Sequence, residues 1–391
     1  MKNILIIANG TIFLPEGGLF KAGGIQTYAK KLIELIQHEM GWRCTIIQQA
    51  PYEKTELYLG ATINYVKIPG VLTRWGTESG ITSYLLNKYI CRHYKNLFDL
   101  IIYLGPSGEW PELLQPCICI QHGIYDDIPN NNKITFRLKR LIKNLLVNKE
   151  YTTFKNANQV VCVDTNFINS YRLKFPWRNT SHLNYIPNFT ELASHNFIDS
   201  KWSSDCFPEK IIVCFPRRFE AFRGVLLTID AWKAIYERHP NVEFIFLGWG
   251  TYEREVNELC KQIPRTYCYH TNHNKAQEII SQAHIVLIPS LGSEGTSLSC
   301  IEAMGRGSLV IATNVGGLGN IIIPNYNGLF INPTVDELIA SLEYTLENYE
   351  IAKKMVSNAY NVALVSFSEH RWKEKMGKVI LNVINSGSHK K

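Results

Sequence analysis

The chain has 391 residues, of which 46% are hydrophobic and 19% are charged, and its formal net charge is +7. This length exceeds the usual size of a single hydrophobic core and predicts two domains, and the apolar content is sufficient to bury both. The composition excludes a disordered chain. No run approaches the roughly eighteen apolar residues of a membrane-spanning helix, which argues against such a span.

Short apolar runs alternate with amphipathic segments along the whole chain, and this pattern indicates βαβ units with parallel sheets. In the first half we predict strands at 3–8, 44–49, 63–68, 100–104, 117–121, 159–163 and 184–186. The first run, at the very start of the chain, is interpreted as a strand and turn rather than a signal peptide, so we expect the chain to stay in the cytoplasm.

The polar, weakly patterned stretch 189–209 is interpreted as a linker between the domains. After it the apolar pattern restarts, with predicted strands at 210–215, 242–247, 265–269, 285–289, 309–312 and 329–331. Helices are expected at 350–364 and from 367 onwards. The prediction is an α/β chain with two doubly wound domains, at 1–190 and 191–366, followed by a carboxyl-terminal helix at 367–391.

Ten cysteines are present, and we interpret them as structural free thiols. Cys162, Cys214 and Cys300 lie inside apolar strand or helix patterns, and no pair has the spacing of a zinc site. Cys117 and Cys119 flank one residue of a predicted strand and therefore point to one face. The cysteines give no indication of a disulfide framework.

The most informative stretch, EGTSLSCIEAM at 294–304, carries two carboxylates, Glu294 and Glu302, with seven residues between them. It follows the buried strand predicted at 285–289, and a helix is expected to begin near Thr296 or Ser297. Glu294 then lies at the carboxyl edge of the sheet, where open α/β folds bind ligands, and Glu302 lies on the helix. Free N–H groups at the helix start favour a phosphate.

This stretch resembles the signature of retaining nucleotide-sugar glycosyltransferases of family 4, in which two glutamates lie seven residues apart before Ala-Met. The resemblance continues in order through 305–313, 316–317, 327–329 and Pro333. It implies the glycosyltransferase B-type architecture, with two Rossmann-like domains facing a central cleft and the last helix crossing back to the first domain. It also implies donor contacts from Gly295, Thr296, Ser297, Leu298 and Glu302.

The first strand of the second domain leads to Pro216 and the arginines Arg217, Arg218 and Arg223. In the family, an arginine here is followed five or six residues later by a lysine, and the pair holds the nucleotide diphosphate. Arg217 and Arg223 match that spacing, although Pro216 replaces a glycine and Arg223 replaces the lysine. An arginine binds phosphate with two bonds rather than as a point charge. Arg218 remains an alternative to either partner.

Gly23 and Gly24 precede a predicted helix, where glycine lets the backbone approach a diphosphate, although a glycine pair is also common in ordinary turns. His122 follows the strand at 117–121 and matches the family's histidine near the donor sugar; a structural histidine is the alternative. Asp126 and Asp127 either orient the acceptor or cap the next helix. The family commonly has a glutamate where this chain has Asn320.

These residues suggest a mechanism in which both ends of the breaking bond are stabilised. Arg217 and Arg223 serve the departing phosphate, Glu294 holds the donor sugar, and Glu302 accepts bonds from the ribose. The resemblance implies that the anomeric configuration is retained, with the leaving phosphate taking the acceptor's proton. No convincing Asp-x-Asp metal clamp is present, so we expect neither a metal nor a cofactor besides the donor, a UDP- or GDP-sugar or another nucleoside-diphosphate sugar.

Much of the positive charge lies at 133–149, where basic residues interleave with apolar ones. The pattern is compatible with a helix that binds an anionic membrane, on the inner face, and equally with an amphipathic helix packed on the first domain. Binding of nucleic acid has no supporting motif.

We therefore expect a retaining glycosyltransferase that acts on a glycan or lipid-linked acceptor, in cell-surface polysaccharide or glycolipid synthesis. A catalytically silent nucleotide-sugar-binding protein is the main alternative, and a sugar-nucleotide epimerase or a phosphorylase of related fold is another. Glu294 and both arginines are present, which favours the enzyme over the silent protein.

Overall fold

The computed structural model describes residues 1–8, 10–15, 18–19, 24–68, 80–105, 113–122, 154–292 and 294–388. Gly23, Asp126, Asp127 and the segment 133–149 lie outside these ranges. The described chain divides into two compact units. The first contains the described residues up to Ile186 and those from Lys373 onwards, and the second is Pro187–Trp372.

The first unit is built on a sheet of eight described strands, β1 Asn3–Ala8, β4 Arg43–Gln49, β5 Lys54–Tyr58, β6 Ala61–Val66, β7 Leu100–Tyr103, β8 Cys117–Gln121, β9 Gln159–Cys162 and β10 Leu183–Tyr185. Their order is β10-β9-β8-β7-β1-β4-β6-β5. Neighbours are parallel except β5 and β6. A separate antiparallel pair consists of β2 Phe13–Leu14 and β3 Gly18–Leu19.

The described helices of the first unit are α1 Gly24–Glu34, which continues as a π-helix at Leu35–Glu39, α2 Gly80–Tyr94 and α3 Thr165–Lys174. Strand β5 was not expected from the sequence. Its residues, Lys54–Tyr58, begin with three polar side chains and lie at the edge of the sheet, mostly exposed. An exposed edge strand lacks the apolar run by which the other strands are recognised.

The second unit has six strands, β11 Ile211–Phe215, β12 Val242–Leu247, β13 Thr266–Tyr269, β14 Ile285–Ile288, β15 Leu309–Thr313 and β16 Leu329–Ile331. They are all parallel, in the order β13-β12-β11-β14-β15-β16. The helices are α4 His195–Lys201, α5 Val225–Ile235, α6 Glu253–Gln262, α7 His273–Gln282, α8 Leu298–Gly305, α9 Val335–Glu347 and α10 Tyr349–Ser366. Helix α11, Glu369–Ser388, begins in this unit and belongs to the first unit from Lys373 onwards. The prediction of two doubly wound α/β domains is confirmed.

The second sheet is buried on both faces, which explains the continuous apolar runs of its strands. Val213 and Phe215 of β11 pack into one core, whereas Cys214 between them packs into the core on the opposite face. Cys300 of α8 lies in that same core, and burial raises the pKa of both thiols. All ten cysteines are free thiols, and most of them are buried.

The stretch interpreted as a linker contains helix α4 and packs on the second unit. Ser194 caps the helix, because its side chain accepts a hydrogen bond from the backbone N–H of Phe197. Ile198 and Trp202 are buried in the core of the unit, and the indole N–H of Trp202 donates to the carbonyl of Gly307 at 2.8 Å. Leu192 and Phe207 pack, partly buried, against the same core. The stretch looked weakly patterned because polar runs of irregular length separate these apolar side chains.

The strand order of the second sheet places two loops side by side. The chain runs outward in one direction from β11 through β12 to β13, then returns to β14 on the other side of β11. The loops after β11 and β14 therefore leave the carboxyl edge of the sheet at the point where the strand order reverses. In doubly wound folds this is where ligands bind.

Candidate functional site

The loop after β11 positions Arg217, a buried residue that is only 8% exposed to solvent. Its Nη1 donates a hydrogen bond to Oγ of Ser297 at 2.8 Å, and its Nη2 donates to Oε1 of Glu294. The loop is fixed to the start of helix α8, because Ser299 Oγ donates to the carbonyl of Pro216 at 2.9 Å. The position of Arg217 is thus fixed by its own loop after β11 and by the residues that follow β14.

Arg223 closes a short 3₁₀ turn, Ala221–Arg223, and its Nη1 also donates to Oε1 of Glu294. The turn ends at Gly224, whose φ of +80° is in the left-handed region. A Cβ there would lie 2.0 Å from the carbonyl oxygen of Pro289, so the loops after β11 and β14 touch at this glycine. Burial and the neighbouring charge of Arg217 lower the pKa of Arg223 to about 10.

Glu294 is 5% exposed and is held through both its backbone and its carboxylate. Ser290 Oγ donates to Oε1 at 2.6 Å, and the backbone N–H of Gly317 donates to the carbonyl of Glu294 at 2.8 Å. Burial by itself raises the pKa of Glu294, but Arg217, Arg223 and the Ser290 hydroxyl together outweigh it and bring the pKa below its usual value. The residue is a carboxylate at neutral pH.

The charges of this cluster do not balance. Two guanidinium groups face one carboxylate, and Arg223 is itself destabilised as a cation by Arg217. An anionic group that reaches both arginines would remove this repulsion, and guanidinium groups suit phosphate oxygens in particular. The arrangement therefore provides an anion site beside an oriented carboxylate.

Arg218 takes a different direction from the other two arginines. Its guanidinium lies over the ring of Trp249 at 5.0 Å from the ring centroid, and Trp249 stacks on His270 at 6.5 Å. Trp249 and His270 follow β12 and β13 at the same carboxyl edge. We did not identify either from the sequence; the Gly-Trp-Gly at 248–250 was the available signal.

Two glycines bring Trp249 against the arginine loop. A Cβ at Gly248 would lie 2.1 Å from the carbonyl oxygen of Arg217, and one at Gly250 would lie 2.7 Å from that of Phe219. The backbone also pairs here, since Phe219 N donates to the Trp249 carbonyl at 2.9 Å. Only glycine permits so close an approach.

Helix α8 begins at Leu298, close to the predicted start. Ser297 is its N-cap residue but makes no side-chain cap, because its hydroxyl accepts from Arg217 instead. Thr296 is buried, and its carbonyl accepts from Nδ2 of Asn188 at 3.0 Å. Gly295 and Leu298 are half-buried beside them, and Glu302, in the second turn of the helix, is also half-buried.

In the first unit, His122 follows the carboxyl end of β8, as expected from the sequence. Its ring lies edge-on to Tyr28 of α1, with the ring centroids 5.1 Å apart, and Gly24 is the first residue of that helix. Among the described residues the buried Nε2 atom has no hydrogen-bond partner, and burial lowers the pKa of His122 to about 4. The imidazole is therefore neutral at pH 7, with a polar atom left to bind.

The described residues contain no cluster of three or more His, Cys, Asp or Glu side chains that could hold a metal ion. Nor does any helix within those ranges have the length and apolar character needed to cross a membrane. Gly23, Asp126 and Asp127 were also predicted as site residues and lie outside the described part of the chain. Asn320 ends the 3₁₀ turn Gly316–Asn320, which also contains Gly317, the residue whose N–H donates to the carbonyl of Glu294.

Comparisons with known proteins agree with this geometry. Residues 197–362 match the family model of glycosyl transferases group 1. An uncharacterized glycosyltransferase of Methanocaldococcus jannaschii is 27% identical over 180 residues, which are 45% of this chain and 44% of that protein. A trehalose synthase of Thermococcus litoralis is 24% identical over 180 residues, 43% of each chain. The chain thus spans less than half the length of these curated relatives.

Solved structures resemble the chain over almost its whole length. A sucrose-phosphate synthase from Thermosynechococcus elongatus aligns with a TM-score of 0.78 at 18% identity, covering 99% of this chain and 100% of that one. Anabaena HepE in complex with UDP-glucose aligns with a TM-score of 0.66 at 14% identity, covering 98% and 100%. At such identities the likeness shows the fold, and it confirms the predicted B-type architecture. The match to the glycosyl transferases group 1 model, by contrast, lies within the second unit.

Proposed function

We propose that this protein transfers a sugar from a nucleoside-diphosphate sugar to an acceptor and retains the anomeric configuration. The observation that carries the proposal is the cluster of Arg217, Arg223 and Glu294 at the switch point of the second sheet. It combines an excess of positive charge, suited to a diphosphate, with an ionised carboxylate suited to a sugar. Cleavage of the bond between sugar and diphosphate needs both the positive charge and the carboxylate.

In this proposal Arg217 and Arg223 bind the diphosphate and stabilise the negative charge that develops on it as the bond to the sugar breaks. Both arginines are held by Glu294, and Arg217 also by Ser297, so little reorganisation is needed when the donor arrives. The replacement of the family's lysine by Arg223 gives a second planar group that can bind phosphate through two bonds.

Glu294 holds hydroxyl groups of the donor sugar and faces the positive charge that develops at the anomeric carbon. Its lowered pKa keeps it ionised for that role. Glu302, farther along helix α8, accepts hydrogen bonds from the ribose. The acceptor approaches from the face of the leaving phosphate, which takes the acceptor's proton, so no protein base is required.

The nucleobase packs beside Trp249 and His270. Their loops follow strands that lie one and two places from β11, and neighbouring strands are about 4.8 Å apart. The span from Arg217 to His270 is therefore comparable with the length of a nucleoside. Aromatic side chains stack on any base, so this contact supports nucleotide binding without choosing the base.

For the donor, a UDP-sugar is the first candidate, because the HepE structures contain UDP and UDP-glucose; a GDP-sugar is the second. No metal and no further cofactor is proposed. His122 is proposed to bind a hydroxyl of the donor sugar through its unpartnered Nε2, with Gly23 and Gly24 near the diphosphate. Asp126 and Asp127 are proposed to orient the acceptor.

The acceptor is proposed to be a glycan or a lipid-linked molecule, in the synthesis of a cell-surface polysaccharide or glycolipid. Two relatives support this choice by their names: a sulfoquinovosyl transferase of Arabidopsis thaliana, 25% identical over 147 residues, and a lipopolysaccharide 1,2-N-acetylglucosaminetransferase of Salmonella typhimurium, 22% identical over 178 residues. The proposed location is the cytoplasm, with peripheral attachment to the inner membrane face.

The test begins with a panel of nucleotide sugars in a thermal-shift assay, because a ligand that binds only the folded state must raise its stability. The stabilising donor is then incubated with candidate acceptors, and the anomeric configuration of the product is read by NMR. A product with the donor's configuration supports the proposal. Stabilisation without any product, or release of a free sugar epimer or a sugar phosphate, would contradict it, as would a panel without one stabilising nucleotide sugar.

A further inference from the structure

Two large apolar side chains of the first unit are almost fully exposed at the end of helix α3. Leu173, in the last turn of the helix, is 84% exposed, and Trp177, in the turn that follows, is 96% exposed. No other large apolar side chain in the described ranges is more exposed than Trp177. An almost fully exposed tryptophan makes few of the protein contacts that usually shield its ring from water. Such exposure of an aromatic side chain indicates an interaction surface.

The turn that carries them is well anchored. Tyr171 is buried, and the ring of Phe175 packs against it with the centroids 5.0 Å apart. The backbone N–H of Phe175 donates to the carbonyl of Tyr171 at 2.9 Å, and the backbone N–H of Arg178 donates to the carbonyl of Phe175 at 3.1 Å. Arg178 also lies over the Phe175 ring at 4.8 Å. Trp177 is therefore presented to solvent by a folded turn.

The charged residues of the segment 165–190 have one sign. Arg172, Lys174 and Arg178 lie between and beside Leu173 and Trp177. The sequence contains no acidic residue from Thr165 to Thr190; the nearest, Asp164 and Glu191, lie on either side of this range. Asp164 is buried, with its carboxylate capping helix α3. The exposed segment 172–178 thus carries three cations and two apolar side chains, a combination complementary to an anionic partner.

We propose that the surface formed by residues 172–178 docks on an anionic lipid membrane. Tryptophan is the residue that membrane–water interfaces favour, since its ring enters the headgroup region while its N–H stays hydrated. Basic side chains beside it bind anionic headgroups. Two apolar side chains are few for a stable interface with another protein. On a membrane, the attraction between the cations and the anionic headgroups adds to the binding free energy of these two side chains.

The position of this surface keeps it separate from the candidate site in the same unit. Strands β9 and β10 are parallel, and α3 connects them, so the turn after α3 lies at the amino ends of the strands. His122 follows the carboxyl end of β8, which pairs in parallel with β9. Variants of Leu173 and Trp177 are therefore expected to leave the binding of a soluble nucleotide unchanged. The inference does not depend on the proposed glycosyl transfer.

Co-sedimentation with vesicles tests the proposal. The full chain is mixed at low salt with phosphatidylcholine vesicles, with and without phosphatidylglycerol, and the bound fraction is measured. Binding is expected only to the anionic vesicles and should fall as salt rises. In Arg172→Gln and Arg178→Gln, the partition constant should fall by a factor of roughly five for each charge removed.

The decisive variant is Leu173→Ala with Trp177→Ala, in which we expect binding to anionic vesicles to be largely lost. Leu57→Ala is the matched control, since Leu57 is 76% exposed in the same unit but lies on the edge strand β5. Circular dichroism shows whether each variant is folded. A milder variant, Trp177→Ser, keeps the test valid if the double variant fails to fold.

Three outcomes would overturn the proposal. The first is a wild-type protein that does not sediment with anionic vesicles at low salt. The second is binding that the 173 and 177 variants leave intact, which would assign membrane attachment to another segment such as 133–149. The third is concentration-dependent self-association in sedimentation velocity that these variants abolish, which would make the surface a contact between copies of the chain.

Discussion

Arg217 and Arg223 donate to the same atom, Oε1 of Glu294. Two cations thus converge on one carboxylate oxygen in a buried setting, where the repulsion between them is weakly screened. The pair is held together by Glu294 until a second anion arrives. A diphosphate that bridges the two arginines would relieve this repulsion, so the proposed binding of a diphosphate follows from the arrangement of the arginines.

The first prediction concerns this clamp. Arg217→Ala or Arg223→Ala should weaken the binding of a nucleoside diphosphate by about 1.5–3 kcal/mol, the usual contribution of a charged hydrogen bond. Calorimetric titration of the folded variants is the measurement. Arg254→Ala is the control, because Arg254 is exposed and pairs with Glu258 on the surface of α6. Unchanged affinity in Arg223→Ala would move the assignment to Arg218.

The second prediction separates the two glutamates. Glu294→Gln keeps the shape of the side chain but removes the charge that favours a cationic anomeric carbon, so the transfer rate should fall far more than nucleotide affinity. Glu302→Gln should mainly raise the KM for the donor, because its partner is the ribose. Steady-state kinetics with the identified donor distinguish the two effects.

Affinity for the bare nucleoside diphosphate completes that test, since this ligand lacks the sugar that Glu294 is proposed to hold. Its binding should weaken in Glu302→Gln. A Glu294→Gln enzyme that turns over normally, or a Glu302→Gln enzyme with the wild-type donor KM, would show that the division of roles is wrong.

The sequence predicted most of the second sheet because its strands are buried on both faces. Strand β14, Ile285–Ile288, is then a continuous apolar run without an exposed residue, whereas the edge strand β13 has two exposed tyrosines, Tyr267 and Tyr269. The start of helix α8 could also be predicted from the sequence, since the turn before it contains glycine and serine. By contrast, β5 and α4 were missed because one is an exposed edge and the other buries little apolar surface.

Within the site, the arginines and glutamates could be named from their spacing, but their contacts could not. The shared Oε1 of Glu294 depends on the strand order, which brings loops some seventy residues apart in sequence together. Trp249 and His270 have no distinctive spacing at all. They come together because β12 and β13 are neighbours, a relationship that a single sequence does not reveal.

The third prediction concerns Gly316, which lies directly against the backbone of Glu294. Its φ is +53°, and a Cβ there would lie 2.3 Å from the carbonyl oxygen of Glu294. Gly316→Ala should therefore cost about 1–3 kcal/mol of unfolding free energy and displace Glu294, so that transfer slows as well. Chemical denaturation and the transfer assay measure the two effects.

Gly319→Ala is the matched control for that prediction, since Gly319 lies in the same turn without a left-handed φ. Its Cβ would meet only the side-chain oxygen of Asn314, at 3.1 Å, which can move aside. If the two alanine variants are equally stable, the close approach of Gly316 to Glu294 has no energetic consequence and the prediction is wrong.

The fourth prediction tests the proposed base contact. Trp249→Ala should weaken the binding of a nucleoside diphosphate by about 1–3 kcal/mol, the usual worth of stacking between a base and an aromatic ring. Binding of inorganic pyrophosphate, which has no base, should change much less. Arg223→Ala should weaken both ligands. A Trp249 variant that loses both equally would indicate that the loss comes from disturbed arginines.

The last prediction is a pH dependence that arises from His122. Burial lowers its pKa in the folded protein to about 4, whereas the unfolded chain has the ordinary value of about 6.5. Between these values the unfolded state binds more protons, so unfolding free energy should fall as pH falls from about 6.5 to 4, by at most about 3 kcal/mol, and this contribution should level off below that window.

His122→Asn should make this slope shallower without abolishing it. His284 also has a pKa lowered to about 4, by burial and by the charge of Lys201, and it titrates in the same window. Its Nδ1 accepts from the backbone N–H of Ile212 at 3.1 Å, a bond that protonation would break. Urea denaturation of the wild-type protein and of His122→Asn, between about pH 6.5 and 4, is the measurement. Equal slopes would mean that His122 is solvated and protonates freely, and its unpartnered Nε2 would then no longer support a role in sugar binding.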